Sequence, residues 1–160
     1  MPSAQALLKG EPHSVDAERT VIGALLLDPD RIVDVVATIQ PQDFYDPTLR
    51  AIYEAIRRLY EDRTPIDFVT VSDALRGDEK LQSIGGSAFL ATLATNVPTS
   101  AHAVHYADIV RDKAIHRQLL DAGDLIAKLA RSEKLSATEA LELAEQKLLS
   151  ITRNIKDSKP

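Results

Sequence analysis

Asp43-Phe44-Tyr45-Asp46-Pro47-Thr48-Leu49-Arg50-Ala51-Ile52-Tyr53-Glu54-Ala55-Ile56-Arg57-Arg58-Leu59-Tyr60 is the stretch whose reading decides the fold. Asp46-Pro47 is a helix start: a carboxylate in the N-cap position, then Pro at the first helical residue, where a missing N–H costs nothing. Leu49, Ile52, Tyr53, Ile56, Leu59 and Tyr60 then fall on one stripe, with Arg50, Glu54, Arg57, Arg58 and Glu61 on the other side. Arg50–Glu54 and Glu54–Arg58 are i, i+4 pairs, each adding a few tenths of a kcal/mol. With nearby Phe68, the stretch holds all but two of the chain's aromatic residues, and there is no Trp. A chain this short of bulky side chains places its first core where it concentrates them. Phe44, Tyr45, Leu49, Ile52, Tyr53, Ile56, Leu59 and Tyr60 are the expected core residues.

Working outward, residues 1–11 show no periodicity and are expected to form a flexible tail. Ser14 is placed to cap a helix over Val15 to Leu27, with Asp16 and Glu18 in the first turn, where the helix dipole favours anions. Asp28-Pro29-Asp30 ends it. Ile32, Val35, Val36 and Ile39 mark a short helix, stopped by Pro41. Beyond the aromatic block, Ile66 to Val71 reads either as a strand or as a helix capped by Asp67. Gly77 to Gln82 reads as a loop. Gly85-Gly86 precedes a short helix carrying Phe89, Leu90, Leu93 and Ala94. Val97-Pro98-Thr99-Ser100 breaks the chain, closing a globular helical head over residues 12–98.

The remainder reads as a helical hairpin over residues 99–153. From Ala103 to Arg131 there is no Pro and one Gly, so a helix near 28 residues is expected. Ile115, Leu119, Ala122, Ile126 and Leu129 alternate steps of four and three, the spacing of a coiled-coil seam. Ser136-Ala137-Thr138-Glu139 has the form of a capping box and opens a last helix with Leu141, Ala144, Leu148, Ile151 and Ile155. A turn near Ser132 to Leu135 folds the two back antiparallel. Residues 154–160 are polar and read as the start of a linker. The expected fold is all-α.

Leu120, Leu125, Leu143 and Leu149 fall off the hairpin's own seam. A two-helix hairpin has too little interior to hide them, so they meet either a neighbouring chain or the head. With Ile115 and Leu119 they form the candidate interface for a second subunit or partner.

Chemistry is sparse. The chain has 160 residues, 24 acidic against 19 basic, and a net charge of −5. A free-standing helical DNA-binding module, the first alternative, normally carries clustered Lys and Arg. Zero Cys fits a reducing compartment, and no apolar run approaches the roughly 20 residues that span a bilayer. With no leader pattern either, a cytoplasmic protein away from membranes is expected. No G-x-x-x-x-G-K-[ST] occurs, and Gly85-Gly86-Ser87 lacks the Lys that reaches phosphates. Asp28, Asp30 and Asp34 imitate an EF-hand opening, but Val33 stands where Gly is needed and Ile39 where Glu is needed. Asp43 and Asp46 flank aromatics, and helix capping accounts for Asp46. His102, His105, Asp108, Asp112 and His116 lie at steps of three and four, which would suit Zn or Mn in a metal-dependent hydrolase, the second alternative. The plain reading is a hydrated polar stripe. No catalytic, cofactor or metal residue is assigned.

Taken together, the segments resemble the N-terminal domain of the bacterial replicative helicase, the DnaB family. The matching pieces are Pro12-His13-Ser14-Val15-Asp16-Ala17-Glu18, Val21-Ile22-Gly23-Ala24-Leu25-Leu26, the Asp43 to Tyr60 block and Ile66-Asp67-Phe68-Val69-Thr70-Val71. Ile84-Gly85-Gly86, Asn96-Val97-Pro98 and His105-Tyr106-Ala107-Asp108-Ile109-Val110-Arg111 complete them. The resemblance implies a collar domain of a hexamer, a trimer of dimers, that docks the C-terminal helicase-binding domain of primase. It implies an ATP-dependent 5′-to-3′ DNA helicase as parent. ATP, Mg and most DNA contacts would then belong to an ATPase domain absent from this chain. Met1 looks like a natural start, so a truncated piece of a longer bacterial protein is expected.

Overall fold

The computed structural model describes residues 10–83 and 85–157. Most of the expected tail, Ile84 of the Gly85-Gly86 turn and the last three residues of the expected linker lie outside them. The described residues form eight α-helices and no strand: α1 Val15–Leu27, α2 Ile32–Thr38, α3 Pro47–Glu61, α4 Phe68–Ala74, α5 Glu79–Ser83, α6 Ser87–Thr95, α7 Ala103–Arg131 and α8 Ala137–Asp157. The expected all-α class holds. Among the described residues no helix is long and apolar enough to cross a membrane.

Helix starts follow from local chemistry. Ser14 Oγ accepts from the Ala17 N–H at 3.2 Å. Asp46 Oδ1 accepts from the Thr48 and Leu49 N–H groups at 2.9 and 3.0 Å. Asp67 resolves the strand-or-helix ambiguity. Its Oδ1 accepts from Thr70 N–H at 2.8 Å while Thr70 Oγ1 accepts from Asp67 N–H at 2.9 Å, two orphan donors satisfied reciprocally. The expected loop at Gly77 to Gln82 is corrected. Asp78 Oδ1 accepts from Leu81 N–H, α5 forms, and Leu81 is buried in the core.

The head is built around α1, whose Val21, Ile22, Ala24 and Leu25 are fully buried between α6 and α7. Gly23 sets the close approach to α6: a Cβ there would stand 2.3 Å from the Leu93 carbonyl oxygen. The apolar stripe of α3 closes the opposite side. Phe44, Leu49, Ile52, Tyr53 and Ile56 are buried as expected, and Leu59 packs half-buried against them. Tyr45 and Tyr60 are corrected. They remain 38% and 37% exposed. Tyr45 precedes the helix and turns its ring toward His13 and Arg117, while Tyr60 sits in the last turn of α3.

The break at Pro98 separates chain segments, not cores. Ala103, Ala107 and Val110, in the first turns of α7, belong to the same buried cluster as α1 and α3. Only the later turns of α7 stand out as one arm of a hairpin, with α8 packed along it. The capping box at the start of α8 forms as read, Glu139 N–H to Ser136 Oγ at 3.1 Å and Ser136 N–H to Glu139 Oε2 at 3.4 Å. α8 stays helical through Asn154 to Asp157, where the polar composition read as linker.

Candidate functional site

The hairpin's outer surface exposes several large apolar side chains. Its seam holds small residues. Ala122 and Ile151 are buried, Ile126, Leu129, Ala140 and Ala144 half-buried. These alanines leave the tip open: Ile126, Leu129, Leu135, Ala140, Leu141 and Ala144 line an apolar cleft of about 560 Å³.

The candidate residues divide accordingly. Leu119, Leu120, Leu125, Leu143 and Leu149 are exposed, by 37 to 47%. Ile115 is half-buried and lines a polar cleft at the base of the hairpin. Leu120 lies two residues before Ala122, and Leu149 two before Ile151. At about 100° per residue both point away from the seam, one on each helix.

Sequence reasoning placed Leu119, Leu141 and Leu148 in the seam, and the structure corrects this. Leu141 is 70% and Leu148 43% exposed. Each directly follows a less exposed position of α8, Ala140 or Lys147. The exposed leucines therefore number more than spacing alone assigned, and they occupy both sides and both backs of the hairpin.

Beneath the leucines lies the joint between hairpin and head, built from arginines on α7. Arg117 donates through Nη1 to the Pro12 carbonyl at 2.8 Å and through Nη2 to the Asp43 carbonyl at 2.6 Å. Its guanidinium carbon stands 5.6 Å from the Tyr45 ring centroid, and the His13 ring stacks on Tyr45 at 4.1 Å. Two buried carboxylates lie beside this joint. Glu18 Oε1 accepts from Asp46 N–H at 3.0 Å, and Asp43 Oδ2 from Gln40 N–H at 2.8 Å. Burial pushes both carboxyls above their ordinary range. For Glu18 it outweighs backbone donation from Asp46 and Tyr45 and the Arg117 charge; for Asp43 it outweighs Gln40, Arg111 and Arg117. The Glu18 role escaped the sequence, where it read only as a first-turn acid.

The His and Asp stripe does not assemble. His102, His105, Asp108, Asp112 and His116 are all exposed, and His116 approaches Asp112 at 3.6 Å. Among the described residues no three His, Asp or Glu side chains come together as metal ligands.

The fold is thus a helical head bearing a two-helix hairpin whose outer faces expose leucines. Residues 10–112 match the DnaB-like helicase N terminal domain, and the chain belongs to that family. Replicative DNA helicase DnaB of Leifsonia xyli subsp. xyli is 36% identical over 141 residues, 88% of this chain and 31% of the relative. That of Geobacillus stearothermophilus is 34% identical over 154 residues, 91% of this chain and 34% of the relative. The chain thus spans about a third of these relatives' length. The crystal structure of the N-terminal domain of DnaB helicase from Mycobacterium tuberculosis superposes with a TM-score of 0.81 at 36% identity, covering 88% of this chain and 99% of that one. A DnaB-like replicative helicase solved with regard to its interactions with primase shares the fold, with a TM-score of 0.68 at 23% identity over 84% of this chain and 31% of that one.

Proposed function

We propose that this domain is an assembly and docking collar of a replicative DNA helicase, joining copies of itself into a hexamer arranged as a trimer of dimers and receiving the C-terminal domain of primase. One observation carries the reading. Seven leucines of the hairpin, Leu119, Leu120, Leu125, Leu141, Leu143, Leu148 and Leu149, stand exposed on more than one face. Apolar faces of this kind mark protein–protein contacts, and two backs supply contacts to two neighbours, as a closed ring requires. The primase arm draws on the fold relative described with primase. ATP hydrolysis, translocation and most DNA contact belong in this reading to the remaining two thirds of the parent protein, in the bacterial cytoplasm.

Charge favours this over a DNA-binding module, since the net charge of −5 opposes phosphate. The scattered His and Asp stripe gives a metal-dependent hydrolase no support. Titration of the folded hexameric parent with the C-terminal domain of its cognate primase tests the docking arm. Saturable binding lost on Leu→Lys substitution in the hairpin is the expected result. No binding to a verified hexamer removes primase from the proposal.

A further inference from the structure

Arg111 sits where three segments meet. Its Nη1 donates to the carbonyl of Thr38, the last residue of α2, at 3.0 Å. Its Nη2 donates to the carbonyls of Asn154 and Ile155, in the last turns of α8, at 3.3 and 3.4 Å. One guanidinium therefore serves the C-terminal ends of two helices. Both ends carry orphan carbonyls and partial negative charge, so a permanently charged donor satisfies each twice over.

Among the described residues, the rest of α8 shows no comparable bridge to the head. It packs along α7 and makes only slight contact with any head helix. Around Arg111 lies an open polar cleft of about 290 Å³, lined by Gln40, Gln42, Asp43, Ile115, Gln118 and Asn154. An open, polar gap does not lock two elements together by burial. The longer bonds to α8 are the weaker side of the bridge, and the shorter bond to Thr38 keeps the guanidinium on the head.

We propose that Arg111 is a clasp: it fastens the C-terminal end of α8 to the head through the C-terminus of α2, and its release frees that end to move without unfolding the shared core. α8 is the last described helix, so the clasp fixes how its C-terminal end lies on the head. The inference is independent of the assembly reading, because every contact lies within one chain.

The test uses the whole chain, which has no Cys and so accepts labels cleanly. Spin labels at Arg58→Cys on α3 and Arg153→Cys on α8, both exposed positions, report the distance from the head to the end of α8. The wild-type background is expected to give one narrow distribution, Arg111→Ala a broad one, and Arg111→Lys, which keeps the charge but not the fork, an intermediate one. Amide exchange over residues 152–157 is expected to rise roughly tenfold or more in Arg111→Ala, the scale of losing a charge-assisted hydrogen bond. Exchange in α1 and α3 stays unchanged. Superposable distributions in all three chains, or faster exchange spread evenly through the head, overturn the proposal. Should Arg111→Ala fail to fold, the Lys variant and the wild-type Arg111 guanidinium resonances decide. Slowly exchanging, separately resolved Nη protons support the clasp, and averaged ones contradict it.

Discussion

Tyr53 Oη donates a hydrogen bond to the backbone carbonyl of Ile39 at 2.9 Å, tying the middle of α3 to the end of α2 inside the core. Both residues are fully buried. Burial pushes the phenol's pKa upward, so it stays a donor at neutral pH and well above it. Tyr53→Phe keeps the ring, including its packing on Phe44, and removes only the hydroxyl. The Ile39 carbonyl then loses this buried partner at a cost of about 1–3 kcal/mol. Urea unfolding should show a lower midpoint with an unchanged slope. An unchanged midpoint would mean that water replaces the bond.

The two helical glycines predict opposite signs. At Gly23 an added Cβ meets the Leu93 carbonyl oxygen at 2.3 Å and Val97 Cγ2 at 2.4 Å, so α1 and α6 must separate. Gly23→Ala should destabilise by about 1–3 kcal/mol despite alanine's better helix propensity. At Gly123 an added Cβ meets nothing within 4 Å. Gly123→Ala should stabilise the folded chain by roughly 0.5–1 kcal/mol. Thermal melts of the two variants compare them directly.

Much of this architecture was legible because it is local. Asp46-Pro47 and Ser136 with Glu139 announce helix starts that the structure bears out, since a cap needs only residues three positions apart, whereas Asp67 left a strand and a helix equally open. What the sequence hid depends on distant partners. Tyr45 looked like core, yet its ring lies beside Arg117, far along the chain. Glu18 read only as a first-turn acid, yet it is 1% exposed and receives the Asp46 N–H. Leu141 and Leu148 fitted the seam spacing as well as Ala144 and Ile151 did. Ala144 and Ile151 turned out to be the less exposed of these positions, which periodicity alone does not rank.

Glu18 and Asp43 make stability depend on pH. A carboxyl whose pKa is raised on folding holds its proton more tightly folded than unfolded. Its contribution is present in full below the unfolded values, near 4.5 for Glu18 and 3.8 for Asp43, and is lost as pH rises through the raised folded values. Within that window these two groups make the chain more stable as pH falls. Glu18→Gln keeps an oxygen to accept from Asp46 N–H and removes the charge. It should flatten the pH dependence there and leave stability at neutral pH equal or higher. A steeper dependence in Glu18→Gln would contradict the assignment. Denaturant midpoints collected from pH 4 to 7 supply the measurement.

The central claim is that the backs of the hairpin join copies of this domain, and Leu120 and Leu149 test it because each points away from its own seam. Lysine at an exposed position changes the fold's stability little, within about 0.5 kcal/mol. Sedimentation velocity across a concentration series, on the native chain and on the Leu120→Lys, Leu149→Lys double variant, is the most direct measurement. The account predicts a concentration-dependent rise in sedimentation coefficient for the native chain, and a monomer with unchanged circular dichroism for the variant. A native chain that stays strictly monomeric at the highest concentration reached, or a variant that associates equally well, would contradict it.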